Sequence, residues 1–156
     1  MAGKLNSNDP LTTIQRSALM SKVKSRGNRS TEIAVEEALI GRRIRDWVKH
    51  PDTIAGKPDF FFPKYGLAVF VDGCFWHCCP TCTRNLPTNR RIFWARKIGQ
   101  NLRRDNRVRG ALRREGYSVM RIWEHSIGNH HVWLGRLTRM LDRRDPRKIS
   151  RRQSDK

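Results

Sequence analysis

The sequence predicts an α/β fold, a small mixed β-sheet flanked by helices in a single domain. Three observations carry that expectation. The run GLAVFVDG, residues 66–73, is apolar almost throughout, as strands in the buried middle of a sheet are. Around it the apolar residues switch between a strand-like and a helix-like repeat, in the order helix, helix, three strands, helix, strand, helix. The length of 156 residues is enough for one real core and short for two domains.

Taken in order, residues 1–12 form a flexible lead and 13–142 the domain. In TIQRSALMSKVKSR, Ile14, Ala18, Leu19 and Val23 follow a helical period that Gly27 and Asn28 break. Ser30 or Thr31 caps a second helix, TEIAVEEALIG, which Gly41 ends. RDWVKH and PDFFFPK are short strands separated by a Gly-Lys-Pro turn, and GLAVFVDG follows as the central strand. TNRRIFWARKIGQNLRRDNRVRGALRREG is a long basic helix stopped by Gly116, with an apolar stripe that includes Trp94, Ile98, Leu102 and Leu112. YSVMRIWEH is a strand, and VWLGRLTRML a closing helix with Leu134, Leu137 and Leu141 inward. Asn129–His131 reads as a hydrophilic loop, and Trp47, Trp123 and Trp133 as packing residues. Residues 143–156 are too charged to pack and are expected to be a disordered basic tail.

Charge narrows the function. Thirty-three Lys and Arg against fourteen Asp and Glu give a net charge of +19, a field that concentrates polyanions, with nucleic acid ahead of anionic membrane. Between Arg84 and Arg121 twelve basic residues face only Asp105 and Glu115. A solvated helix face is the usual reading of a charge run, but this imbalance repels itself unless phosphates neutralise it. No apolar run is long enough to span a bilayer, and the N-terminus lacks the apolar core of a signal peptide. An intracellular, cytoplasmic location is therefore expected.

All four cysteines lie between Cys74 and Cys82. A disulfide within so short a segment closes too small a loop to staple a domain, so the cluster reads as a metal site before it reads as disulfides or as buried thiols. Cys79 and Cys82 have the two-residue gap that points two thiolates at one metal, and Cys74 is within reach upstream. A fourth ligand has to come from outside the loop. Asp59 and Asp72, thirteen residues apart, fall at the start of one strand and the end of the next, which an antiparallel hairpin brings together. Paired carboxylates beside a basic surface are a way to hold Mg²⁺ for phosphodiester chemistry, with Glu32 able to add a third oxygen. Pro-Asp is also a common turn, and alone this signal is weak.

The segments GKPDFFFPKYGLAVFVDGCFWHCCPTC, PTN, FWARKIGQNLRRDNRV and LRREGYSVMRIWEH closely resemble the very short patch repair (Vsr) endonucleases, over residues 16–125. The resemblance implies a restriction-endonuclease-like core and an enzyme that nicks one strand of double-stranded DNA beside a T:G mismatch, using Mg²⁺ and a structural Zn²⁺. It implies that Asp59, with the backbone carbonyl of Val71, ligates Mg²⁺ and that His77 is the general base. Glu32 and Asp105 fall where the family has acidic residues at or near the site, with Asp105 either orienting His77 or holding a metal-bound water. Asp72, at a position where some relatives carry histidine, either ligates metal or shapes the loop. Cys74 stands where most restriction-type nucleases have a lysine, so His77 carries more of the proton transfer. The resemblance also implies His125 as the fourth zinc ligand beside Cys74, Cys79 and Cys82, with Cys78 an alternative to Cys79. Phe75, Trp76 and Trp94 match residues that intercalate at the mismatch, where unstacking costs least. A monomer suffices for one nick, mismatch-repair proteins are candidate partners, and the setting is prokaryotic and nucleoid-associated. Two alternatives stand beside this reading: a zinc-stapled DNA-binding module without catalysis, and a restriction-like nuclease with another DNA target.

Overall fold

The structure, a computed structural model, describes residues 29–82, 86–88 and 90–146. The expected lead, the helix over 13–26 and residues 147–156 of the expected tail lie outside the described residues.

Among the described residues four strands form one sheet: β1 (Val48–Lys49), β2 (Phe60–Phe62), β3 (Leu67–Asp72) and β4 (Ser118–Trp123), in that spatial order. β1 and β2, then β2 and β3, pair antiparallel, whereas β3 and β4 run parallel with Val71 opposite Ile122 and Asp72 opposite Trp123. The sheet is mixed, as the sequence predicts. Among the described residues three helices flank it: α1 (Arg29–Gly41), α2 (Arg91–Arg114) and α3 (His130–Arg143). A parallel pair needs a crossover, and α2 supplies it between β3 and β4.

Alternation along the strands sorts the core into two layers. Phe60, Phe62, Leu67, Val69, Met120 and Ile122 meet Val35 and Leu39 of α1 and Trp133, Leu134 and Leu137 of α3. The opposite face puts Phe61 and Ala68 against Ile54 and Leu112, with Val108 and Tyr117 at the margin. On β3, Asp72 follows the parity of Ala68 and Phe70 rather than of Val69. It therefore belongs to the α2 face.

Local chemistry explains where the elements end. Gly116, at φ +82, closes α2: its N–H reaches Arg113 O at 3.0 Å and the Tyr117 N–H reaches Leu112 O at 2.9 Å, the paired bonds of a left-handed helix stop. The same pair of bonds ends α1, but with Arg43 (φ +56) in the left-handed position, two residues beyond Gly41. The first described residue of α1 is Arg29, so Ser30 and Thr31 lie within the helix rather than capping it. β1 is only two residues long, and the Phe-Phe-Phe strand turns at Pro63 into a 3-10 turn over Pro63–Tyr65, because proline cannot donate to a ladder. His130 and His131 open α3 rather than lying in a loop. Beyond α3, the Arg144 guanidinium donates to Tyr65 O (2.7 Å), Ser118 Oγ (2.8 Å) and Gly116 O (2.7 Å), tying the helix end to the sheet.

One glycine is required by a close approach. Gly56, at φ +77 in the β1–β2 connection, lies where a Cβ would come within 2.3 Å of Val108 Cγ1 on α2. The loop carrying Pro58 and Asp59 is thereby seated directly on α2.

Candidate metal centres and nucleic-acid interface

The end of β3 gathers three polar clusters. The first joins α1 to the β1 and β2 ends. Glu32 (α1), His50 (just past β1) and Asp59 (just before β2) place one ligand atom each within 4.8 Å of the others. Asp59 Oδ2 accepts the Val71 N–H at 2.6 Å, and His50 Nε2 lies 3.1 Å from Glu32 Oε2. Burial pushes the Asp59 carboxyl up to about 7 from the ordinary 3.8; the Val71 N–H opposes this, while the charges of Glu32 and Asp72 reinforce it. A carboxyl so crowded favours either a proton or a cation.

The second cluster lies on the α2 face. His77 Nδ1 is 2.6 Å from Asp105 Oδ2 on α2 and 3.5 Å from Asp72 Oδ1. Arg121 of β4 lies beneath them, its Nε donating to Asp72 Oδ2 and its Nη2 to Asp105 Oδ2 at 3.2 Å. Burial alone would raise Asp105, but the hydrogen bond and charge of His77, with Arg121 and Arg104, hold it below the ordinary carboxylate range. An ionised Asp105 can only accept, so His77 Nδ1 carries the proton and Nε2 is the basic nitrogen.

The third cluster is made of Cys74, Cys79, Cys82 and His125. The three sulfurs lie 3.1, 3.5 and 3.2 Å from His125 Nδ1. Tetrahedral ligation with Zn–S and Zn–N bonds of roughly 2.3 and 2.0 Å separates S from N by ~3.5 Å, close to what is seen. Burial pushes the Cys74 thiol up to about 11. At Cys79 burial works the same way but is outweighed by the backbone N–H groups of Cys82 and Thr81, and the thiol is lowered. Cys78 is exposed, at φ +51, and is not in the group. Glu124 Oε2 accepts the Cys74 N–H at 3.1 Å and so binds the loop to the end of β4.

Between the cysteines, Phe75 and Trp76 turn toward Trp94 of α2. Their three ring centroids lie 5.3, 5.4 and 5.7 Å apart, and all three rings are only half-buried. Phe93 (54% exposed) and Ile92 (87% exposed) continue this apolar edge into solvent. Asn101 Nδ2 donates to Trp76 O at 3.1 Å and steadies the segment on α2. Along α2 nine Lys and Arg accompany a single acid, Asp105, and all but Arg109 of the nine are exposed.

The structure thus brings Asp59 together with Glu32, His77 with Asp105, the three cysteines with His125, and the three aromatics with one another. It does not bring the Asp72 carboxylate into the Glu32–Asp59 group; that side chain is buried against Arg121. Arg121, His50 and Glu124 were not singled out from sequence. Arg121 sits opposite Phe70 in the parallel register, a pairing that linear spacing does not reveal. His50, next to Pro51, has the look of a turn residue. Trp47, Trp123 and Trp133 do serve packing: Trp133 is buried, Trp47 meets Phe60 edge-on at 5.3 Å, and the Arg121 guanidinium lies over Trp123 at 4.6 Å. Among the described residues no helix is long and apolar enough to cross a membrane.

The family described as DNA mismatch endonuclease Vsr matches residues 8–84. The type II nicking enzyme V.NmeDIP of Neisseria meningitidis serogroup C is 43% identical over 122 residues, 76% of this chain and 80% of its own. The type II nicking enzyme V.XorIIP of Xanthomonas oryzae pv. oryzae is 37% identical over 136 residues, 86% of this chain and 97% of its own. The DNA mismatch endonuclease Vsr of Escherichia coli is 38% identical over 75 residues, 48% of each chain. Likeness of this degree, running over nearly the whole of the Xanthomonas enzyme, makes this chain a member of the Vsr family of DNA mismatch endonucleases.

Proposed function

We propose that this chain is a Mg²⁺-dependent endonuclease of restriction-endonuclease-like fold that nicks one DNA strand beside a T:G mismatch, the lesion left by deamination of 5-methylcytosine. The observation that carries the reading is the His77–Asp105 pair at 2.6 Å at the same strand end as the Asp59 carboxylate and the half-buried aromatic cluster. A DNA-binding module has no use for a base held in one tautomer.

The donor sets fit the two metals. Three thiolates and an imidazole in a closed group suit structural Zn²⁺, and Asp59 with Glu32 offers the oxygen donors that Mg²⁺ takes, to which the family resemblance adds the Val71 carbonyl. Bound there, Mg²⁺ supplies positive charge to the scissile phosphate. The remaining work falls to the chain. Asp105 orients the imidazole, and His77 Nε2 accepts a proton as a water oxygen bonds to phosphorus and a phosphoester P–O bond breaks. Arg121 holds Asp105 and Asp72 so that the imidazole keeps its place. Phe75, Trp76 and Trp94 enter the stack where mispairing makes unstacking cheapest. The α2 arginines take the phosphates, which makes binding fall steeply with salt. One such site acts as a monomer, in a cytoplasmic, nucleoid-associated setting, with mismatch-repair proteins as candidate partners.

The test is a labelled duplex carrying one T:G mismatch, incubated with Mg²⁺ or with EDTA beside its matched counterpart. A single Mg²⁺-dependent nick next to the thymine, absent from matched DNA, is expected. Equal cutting of matched DNA would discard the mismatch and keep a nuclease of another target.

A further inference from the structure

His50 has no part in the chemistry derived above, yet its imidazole faces the Asp59 carboxylate group. Its Nε2 stands 3.1 Å from Glu32 Oε2, and with Asp59 the three ligand atoms lie within 4.8 Å of one another. Adjacent donors on an octahedral cation with bonds of roughly 2.1 Å are ~3.0 Å apart, so the imidazole and Glu32 already have the spacing of neighbouring ligands. His50 is held at φ +46, in the left-handed region that costs an L-residue free energy and persists where the surroundings impose it. Its N–H still reaches Asp59 O at 3.4 Å, continuing the β1–β2 pairing. The chain thus bends at His50 while staying fastened to the metal-binding strand. The imidazole is 40% exposed and the Glu32 side chain 10%, which leaves a cation a way in.

We propose that His50 is a third protein ligand at this site, making it a mixed nitrogen–oxygen centre that selects first-row divalent cations of the Mn²⁺ and Co²⁺ kind over Mg²⁺. The inference rests on the reading of Asp59 as a metal ligand and adds the metal preference. Two carboxylates alone give the hard oxygen site that Mg²⁺ shares with Ca²⁺, whereas an imidazole adds a donor that first-row transition metals use and Mg²⁺ does not.

The experiment is Mn²⁺ binding to the full-length protein, followed by electron paramagnetic resonance of free Mn²⁺ and by competition with Mg²⁺. Wild type, His50→Asn and Asp59→Ala are compared. Asparagine tolerates the left-handed backbone, and His50→Gly, which has no strain there, serves as the second variant. Wild type is expected to bind Mn²⁺ at least tenfold more tightly than Mg²⁺. Both His50 variants should lose most of that margin while Mg²⁺ affinity stays within about threefold, and Asp59→Ala should lose both metals. Spin-echo modulation of bound Mn²⁺ should show a directly bonded nitrogen that disappears in His50→Asn. Unchanged Mn²⁺ affinity and an unchanged nitrogen signal in both His50 variants would overturn the proposal, leaving His50 as a hydrogen-bond partner of Glu32. Metal binding indifferent to Asp59→Ala would overturn instead the reading of Asp59 on which it rests.

Discussion

Lowering the pH should strip the cation from this site before it unfolds the protein. Asp59 binds its proton with a pKa of about 7 in the metal-free protein, and a cation must displace that proton. At pH 8 the carboxyl is almost wholly ionised and competition is negligible. At pH 5.5 about thirty protonated molecules stand for each ionised one, so apparent Mg²⁺ affinity falls roughly thirtyfold, equivalent to ~2 kcal/mol. The stability of the metal-free protein moves the other way. Its folded-state value lies above the unfolded 3.8, so the folded form binds more protons across the window from about pH 4 to pH 7. Stability is therefore lost as pH rises through that window, and a bound cation restores it. Calorimetric titration with Mg²⁺ at pH 5.5, 7 and 8, with melting curves at each pH, measures both effects. The melting-temperature gain from saturating Mg²⁺ should grow with pH, and about half a proton should be released per cation at pH 7. Affinity that is flat from pH 5.5 to 8 would mean that Asp59 is already ionised or does not bind the metal.

Other expectations follow from the packing. Arg121→Met leaves the carboxylates of Asp72 and Asp105 without their shared partner; stability should drop by ~3 kcal/mol by denaturant titration, and a loss under 1 kcal/mol would show the pair to be dispensable. Gly56→Ala places a Cβ against Val108 at a positive φ and should cost about 2–4 kcal/mol; a change within 0.5 kcal/mol would mean the loop does not rest on α2. Cys82→Ser should reduce bound zinc and lower the melting temperature, whereas Cys78→Ser, outside the group, should change neither; the reverse result would exchange their roles.

Much of the fold was legible because single elements carried their own signals. GLAVFVDG could only be a buried strand, and Gly116 ends α2 as its position after the basic run suggests. Cys79 and Cys82 pointed through spacing to a thiolate cluster able to hold a metal, and the structure gathers them with Cys74 and His125. What was not legible depends on register or on competition between neighbours. Arg121 is one of twelve basic residues in its stretch, and only the parallel pairing of β3 with β4 sets it beneath Asp72 and Asp105. The stop of α1 fell to Arg43 because the tertiary path, not the nearest glycine, chose the left-handed residue. The Asp59–Asp72 hairpin formed, but the ion pair with Arg121 keeps the Asp72 carboxylate out of the Glu32–Asp59 group.

The most direct test of Asp59 as the catalytic metal ligand is single-turnover cleavage and binding of the T:G duplex by Asp59→Asn, measured side by side on one protein sample in Mg²⁺. Cleavage should slow by at least 10³-fold with duplex affinity within a few-fold of wild type. Cleavage that survives at the wild-type rate would contradict the assignment of the active site. Absence of any nick from either protein, with tight binding by both, would leave a zinc-stapled DNA-binding module in its place.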